Sequence, residues 1–305
     1  MALEVAIRAR TPIPLDLAFR VEPGELLALV GPSGSGKSTT LRVIAGLWRA
    51  EEARIAVGGT VWADSARGIW LPPHRRRLGM VFQSYTLFPH MTAEANVMAA
   101  MSHLSGADRP AEAHRLLGLV HLDGMERRRP AELSGGQQQR VAVARALARS
   151  PEALLLDEPF SAVDRATREA LYREIRALRK VLNMPVVLVT HDLEEAQLLA
   201  DCMVVIEAGR AVRSGSTAEV MFDPRALRSL GLGEAGASIL ARVAAQEGDE
   251  LTRLDTSSGP LWVPHVEATE GTRVRVRIMA DEVILSLSPP QGLSALNVLP
   301  ATVIE

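Results

Sequence analysis

The 305-residue chain is poor in cysteine, lysine and aromatic side chains, and each shortage narrows what it can be. A single cysteine, Cys202, excludes an intramolecular disulfide, and no cysteine or histidine spacing fits a zinc site. Cys202 lies in the apolar run Cys202-Met203-Val204-Val205-Ile206, where a small buried hydrophobe is expected. No stretch approaches the roughly 18 to 20 uncharged apolar residues of a transmembrane helix. The start, Met1-Ala2-Leu3-Glu4-Val5-Ala6-Ile7-Arg8, has an early Glu and no apolar core of the signal-peptide kind. Positive charge is also lacking: the formal net charge is -2, which gives no basic footprint, so no nucleic-acid partner is expected. Of the 34 basic residues only Lys37 and Lys180 are lysines.

What is present is a chain that is 47% hydrophobic and long enough for about two domains. One of its two lysines closes the run Gly31-Pro32-Ser33-Gly34-Ser35-Gly36-Lys37-Ser38-Thr39. This is the spacing G-x-x-x-x-G-K-S, set between the apolar run Leu26 to Val30 and the amphipathic stretch Leu41 to Leu47. A buried strand turning into a helix through such a loop is the context of a phosphate-binding loop. Glycines let the loop curl so that backbone N–H groups face phosphate oxygens, and the helix offers its positive end. Lys37 would reach the terminal phosphates, and Ser38 would offer a hydroxyl to Mg²⁺. A Gly-rich strand-to-helix turn without ligand is the plain alternative.

In chain order, alternation predicts strands at Leu3 to Arg10 and Leu15 to Val21, and a hairpin at Arg54 to Trp62 around Gly58-Gly59. Arg75-Arg76-Arg77 is expected on a solvated surface, with a phosphate contact as the alternative. Gly79 to Gln83 predicts a strand ending in a glutamine. From 84 to 133 the pattern turns helical, at Thr92 to Met101 and Pro110 to Leu117, which predicts an inserted helical subdomain. Its histidines, His90, His103, His114 and His121, lack metal-site spacing and are expected at the surface. Leu133-Ser134-Gly135-Gly136-Gln137 then opens a helix ending near Arg149; Ser134 could be a plain N-cap or part of an anion site.

Ala153 to Glu158 is an apolar strand ending in two carboxylates. In a parallel sheet ligands lie beyond the carboxyl ends of strands, which would put both acids at the phosphate site. Asp157 suits Mg²⁺ and Glu158 suits polarising an attacking water, though two acids could instead cap the next helix. Ser161 to Asp164 fits a capping box before a helix over Arg165 to Val181, whose end Lys180 would complement. Pro185 to Asp192 predicts another buried strand, ending in His191, a structural residue or one that reaches the terminal phosphate. A strand at Cys202 to Glu207 and a short helix near Thr217 to Met221 close this domain. The composition shifts near Phe222-Asp223-Pro224, and Leu230 to Gly236 reads as a linker. Strands are then expected at Ser238 to Ala245, Glu250 to Asp255, Leu261 to His265, Thr272 to Ala280 and Val283 to Leu287, a small β domain of barrel-like kind. Arg273, Arg275 and Arg277 share one strand face there, solvated by default and oxyanion-binding as the alternative.

Over residues 1 to about 225 the set of motifs resembles the ATP-binding cassette ATPases, the motor subunits of membrane transporters. The phosphate loop, Gln83, Leu133 to Gln137, Leu156-Asp157-Glu158-Pro159, Ser161 to Asp164 and His191 follow in that family's order. The resemblance implies an α/β fold: a P-loop NTPase cassette of mixed sheet over 1–230 with a helical subdomain inserted at 84–133. A linker at 231–237 and a small OB-like regulatory domain at 238–305 complete it. It implies ATP and Mg²⁺ as cofactors. Gly31, Pro32, Ser33, Gly34, Ser35, Gly36, Lys37, Ser38 and Thr39 would contact the nucleotide, as would Ser134, Gly135, Gly136 and Gln137 of an opposite copy. Ser38, Gln83 and Asp157 would contact the metal. Glu158 would be the catalytic base, His191 the switch histidine, and Gln83 the sensor of Mg²⁺ and water.

Such a subunit works as a head-to-tail homodimer on the cytoplasmic face of the membrane, peripheral through permease subunits and served by a periplasmic or extracellular substrate-binding protein. Leu71 to Gly79, Leu87 to Thr92 and Pro289 to Pro300 further resemble the ATPase of molybdate importers, which implies molybdate or tungstate as cargo. Importers of sulfate, polyamine, iron or sugar share the architecture, and a soluble non-transport cassette ATPase is the alternative of another class. Two departures stand out. Arg8 to Leu15 holds no aromatic residue to stack on adenine, and the chain stops at Val303-Ile304-Glu305 where the family's small domain continues, so a truncated domain is expected.

Overall fold

The structure, a computed structural model, describes residues 1–11, 13–161, 168, 171, 172, 175, 176, 183–231, 237–247, 251–278, 283–286, 297–299 and 302. It divides into two compact units, Met1–Gly231 and Leu232–Glu305. In the first unit the chain runs β1 (Leu3–Ala9), β2 (Leu15–Val21), β3 (Leu26–Val30), α1 (Lys37–Ile44), β4 (Glu52–Val57), β5 (Thr60–Asp64), β6 (Ile69–Trp70) and β7 (Leu78–Val81). It continues through α2 (Ala93–Met98), α3 (Arg109–Leu119), α4 (Gly135–Leu147), β8 (Ala153–Asp157), β9 (Val186–Val189), α5 (Leu193–Leu199), β10 (Cys202–Glu207), β11 (Arg210–Ser216), α6 (Thr217–Val220) and α7 (Pro224–Ser229).

Among the described residues eleven strands make one mixed sheet in the order β6-β5-β4-β1-β2-β11-β10-β3-β9-β8-β7. Two kinds of strand share it. In β1 Leu3, Val5, Ile7 and Ala9 are buried and their neighbours exposed, the alternation of a strand with one wet face. It pairs antiparallel with β2 and β4. Every residue of β3, β8 and β9 is buried, as strands covered on both faces require. These three, with β7 and β10, run parallel. The carboxyl ends of β3, β7, β8 and β9 therefore lie along one edge of the sheet, where open parallel sheets take ligands.

Helix α1 buries Leu41, Val43 and Ile44 completely, each burial contributing roughly 1.5–3 kcal/mol. Between β7 and β8, helices α2, α3 and α4 share a core that includes Val97, Leu116, Leu117 and Val141. α4 begins in a capping box: Ser134 Oγ accepts from the Gln137 N–H, and Gln137 Oε1 accepts from the Ser134 N–H at 2.9 Å.

Several expectations need correction. Arg75 and Arg77 are exposed, but Arg76 is fully buried. Its guanidinium donates to the carbonyls of Val43, Ile44, Leu71 and Trp62 and lies over the Trp70 ring at 4.7 Å. The negative end of α1 and an aromatic face replace water around this cation. Burial lowers its pKa to about 10. Where the composition shift suggested only a boundary, α7 forms, because Asp223 caps it and Pro224 sits at the first helical position. The capping-box residues Ala162 to Asp164, Lys180, the linker positions 232–236 and the terminal Val303 to Glu305 lie outside the described residues. Of the helix expected over Arg165 to Val181, residues 168, 171, 172, 175 and 176 are described, all helical.

The second unit is a four-stranded antiparallel sheet in the order β14-β13-β12-β15, with β12 (Ala237–Glu247), β13 (Leu251–Thr256), β14 (Gly259–Pro264) and β15 (Arg273–Ile278). Its small core gathers Ala241, Val243, Leu254 and Leu261. Arg273 and Arg275 are exposed on β15, while the side chain of Arg277 is outside the described set. Residues 283–286 form no strand, contrary to expectation; Val283, Ile284 and Leu285 are exposed and pair with no strand among the described residues. Of the segment Pro289 to Pro300 only 297–299 are described. Asn297 there brackets Trp262, accepting from its N–H at 2.7 Å and donating to its carbonyl at 2.8 Å.

Candidate active site

The loop between β3 and α1 folds tightly. A Cβ on Gly31 would stand 2.1 Å from the Ile206 carbonyl oxygen, and Gly36 has φ 100 with Leu15 Cδ2 2.5 Å from where its Cβ would be. Only glycine fits either position. Pro32, Ser33 and Gly34 are exposed at the mouth, while Ser35, Gly36 and Lys37 are buried and Ser38 and Thr39 half-buried. Lys37 Nζ donates to the carbonyls of Gly31 and Pro32 at 2.8 and 2.9 Å. Burial pushes its pKa down, partly opposed by Glu158 and Asp157. Ser35 Oγ is buried and has no hydrogen-bond partner among the described residues.

Asp157, the last residue of β8, comes to this loop: Ser38 Oγ donates to its Oδ1 at 2.8 Å. Burial raises the Asp157 pKa, and the Ser38 bond works against that. A buried carboxylate beside a hydroxyl is a pair of hard oxygens suited to a divalent cation.

Glu158 follows in the left-handed region, φ 44, which a side chain rarely adopts. Its N–H donates to Val189 O at 2.9 Å, and its carbonyl accepts from the Ser161 N–H and hydroxyl. Its Oε2 lies 3.3 Å from Gln83 Nε2, beyond β7, and 3.2 Å from His191 Nδ1, beyond β9. Three strand ends thus converge on one carboxylate, and Lys37 lies near enough to feel it.

Of the expected metal contacts, the structure brings Ser38 and Asp157 together, and the Gln83 amide nitrogen donates to Glu158. The hydrogen bonds of Ser134 and Gln137 stay within the start of α4; Ser134 is exposed and Gly136 buried. Ser134 is thus the N-cap of α4, and its side chain is exposed.

Three features escaped the sequence reading. Arg145 on α4 donates to the carbonyls of Tyr85 and Thr86, both with positive φ, just past Gln83. It lies about three turns beyond Ser134 on the same helix face, a spacing that could have drawn attention. Arg76 is the second. The third is a buried group formed by Thr190, Glu195 and Tyr172 beside His191, for which spacing carried no signal.

Comparison with known proteins fits this geometry. The family described as ABC transporter matches residues 15–161. The molybdenum import ATP-binding protein ModC of Mesorhizobium japonicum is 41% identical over 92% of this chain and 76% of its own length. That of Rhizobium meliloti is 40% identical over 100% of this chain and 85% of its own. Among solved structures, the dimeric post-hydrolysis state of an ATP-binding cassette bound to ADP and Pi superposes with a TM-score of 0.59. It shares 29% identity and covers 71% of this chain and 99% of that one.

Proposed function

The chain belongs to the ATP-binding cassette transporter family of nucleotide-binding ATPases, and from that membership we propose that it is the ATP-hydrolysing subunit of a molybdate or tungstate importer. The observation that carries the hydrolytic part is the convergence of Gln83, Glu158 and His191 beside the phosphate loop. Lys37 leaves the Gly31 and Pro32 carbonyls for the terminal phosphates, and the buried Ser35 hydroxyl, partnerless in the loop, suits a phosphate oxygen. Glu158 takes the proton of the attacking water, with Gln83 and His191 orienting that water and the terminal phosphate.

Ser38 and Asp157 fit Mg²⁺ by the chemistry of their oxygens; the ion, when bound, supplies charge neutralisation of the phosphates. Gln83 donates to Glu158 through Nε2, and its Oε1 is the atom that would join that set. The exposed Ser134, with Gly135, Gly136 and Gln137, serves the phosphates of a second copy, so the working unit is a head-to-tail homodimer. The dimeric neighbour supports this assembly.

Among the described residues no helix is long and apolar enough to cross a membrane. Attachment to the cytoplasmic face is therefore proposed through permease subunits, with a substrate-binding protein on the far side. The relatives' names support the cargo. Vesicles carrying this chain with its cognate permease should take up molybdate only with ATP, and molybdate should compete with tungstate but not with sulfate. Uptake of sulfate, polyamine, iron or sugar instead would reassign the cargo. Full hydrolysis with no permease bound under any condition would favour a soluble cassette ATPase.

A further inference from the structure

His191 presents a puzzle of aim. Its side chain is 60% exposed, yet Nδ1 is directed at Glu158. An exposed histidine has rotamers to choose from, and its choice depends on the backbone on either side. Here that backbone is tied from beneath. Thr190 is 2% exposed; its hydroxyl donates to Glu195 Oε2 at 2.5 Å and accepts from the Asp192 N–H at 3.0 Å. Its own N–H donates to Leu29 O. The peptide after His191 is thus held by the Thr190 hydroxyl, the backbone entering Thr190 is held by Leu29 O, and that hydroxyl is oriented by one carboxylate.

Glu195 is 4% exposed and is itself fixed: Tyr172 OH donates to Oε1 at 3.2 Å, and Arg168 Nη1 stands 3.8 Å from the same oxygen and 3.3 Å from Asp192 Oδ2. Burial raises the pKa of Glu195, so keeping an acid here is costly. Starting α5 does not require it, because Asp192 already caps that helix by accepting from the Glu194 and Glu195 N–H groups. What the buried acid does is hold Thr190.

We propose that Glu195 acts through Thr190 as a positioning device that aims His191 at Glu158. The proposal rests on the hydrolytic role given to His191 above. Thr190→Val keeps the shape and removes the hydroxyl, Thr190→Ser keeps the hydroxyl, and His191→Ala removes the aimed group. ATP hydrolysis by the full chain should show kcat about tenfold lower in Thr190→Val with KM for ATP within about twofold, and near-parent kcat in Thr190→Ser. In the His191→Ala background, Thr190→Val should cost nothing further, because there is no ring left to aim. Glu195→Gln, which keeps one acceptor oxygen, should lower kcat in the same direction and serves if Thr190→Val does not fold.

A parent-like kcat in Thr190→Val, or an equal loss with and without His191, overturns the positioning role. If Thr190→Val does not fold, a parent-like kcat in Glu195→Gln overturns it too. Parent-like hydrolysis by His191→Ala alone overturns the premise instead, so the two failures are told apart by that single variant.

Discussion

The two halves of the active site differ in how firmly they are held. Lys37 and Asp157 are buried, and the bonds from Lys37 and Ser38 are 2.8–2.9 Å long. Glu158, Gln83 and His191 meet near the surface at 3.2–3.3 Å. The first half is firmly held before phosphate arrives, and binding asks Lys37 to exchange the Gly31 and Pro32 carbonyls for phosphate oxygens. The second half is a set of weak contacts that the attacking water and a second copy can rearrange, and catalytic hydrogen bonds are commonly long until substrate is present. Binding is thereby separated from chemistry within a few residues of one strand end.

If that separation is real, removing the carboxylate should stop chemistry and spare binding. Glu158→Gln is expected to lower kcat by about 10²–10⁴-fold while ATP still binds and the ATP-bound dimer accumulates, read by single-turnover hydrolysis and size-exclusion chromatography. Undiminished turnover would end the assignment of Glu158.

The buried half can be loosened from its far end. Arg76 holds the carboxyl terminus of α1, the helix whose first turn carries Lys37 and Ser38. Arg76→Met keeps much of the packing on Trp70 but takes the guanidinium away from the Val43 and Ile44 carbonyls, of which Val43 keeps the Gly46 N–H, a cost of about 1–3 kcal/mol. The melting midpoint should fall by several degrees and KM for ATP should rise; an unchanged KM would mean that the loop is rigid without its helix anchor.

Asp157 tests the electrostatic side of the same half. Its folded pKa is raised by burial, so the neutral form is favoured in the folded chain. Stability from such a group is fully present below the unfolded carboxylate pKa and is lost as pH rises through the folded value. At neutral pH the charge is a cost, so Asp157→Asn should raise stability by about 1 kcal/mol there while hydrolysis falls. The gap to the parent should narrow as pH drops toward the carboxylate range. A destabilised Asp157→Asn at pH 7 would show that the Ser38 bond outweighs burial.

How much of this was legible follows from the range of each interaction. The phosphate loop was readable because its glycines, its lysine and the apolar run before it are contiguous. β1 and β2 were readable because one wet face leaves a period of two. Arg76 was not, since an arginine run is ordinarily solvated and its burial depends on Trp70 and the end of α1, distant in sequence. Residues 283–286 misled because β-branched composition says nothing about an available partner. α7 was hidden by Pro224, which breaks a helix inside but suits its first position. The order of Gln83, Glu158 and His191 came from resemblance; their meeting on one carboxylate came from strands β7, β8 and β9 ending at one edge.

The left-handed backbone of Glu158 could not be read from residue type at all, and it offers the finest test of the contrast between the halves. A side chain in that region costs about 1–2 kcal/mol, and glycine removes the cost but gives back part of it as extra freedom in the unfolded chain. The contacts to Gln83 and His191, near solvent and long, should add only about 0–1 kcal/mol. Glu158→Gly should therefore melt within about 0.5 kcal/mol of the parent or slightly above it, while losing hydrolysis as Glu158→Gln does. That pairing would mark Glu158 as a residue kept for chemistry at the expense of local backbone comfort. A loss of more than about 1 kcal/mol would instead mean that the surface contacts hold Glu158 as tightly as the buried half holds Lys37, and the two halves would no longer differ in the way their geometry indicates.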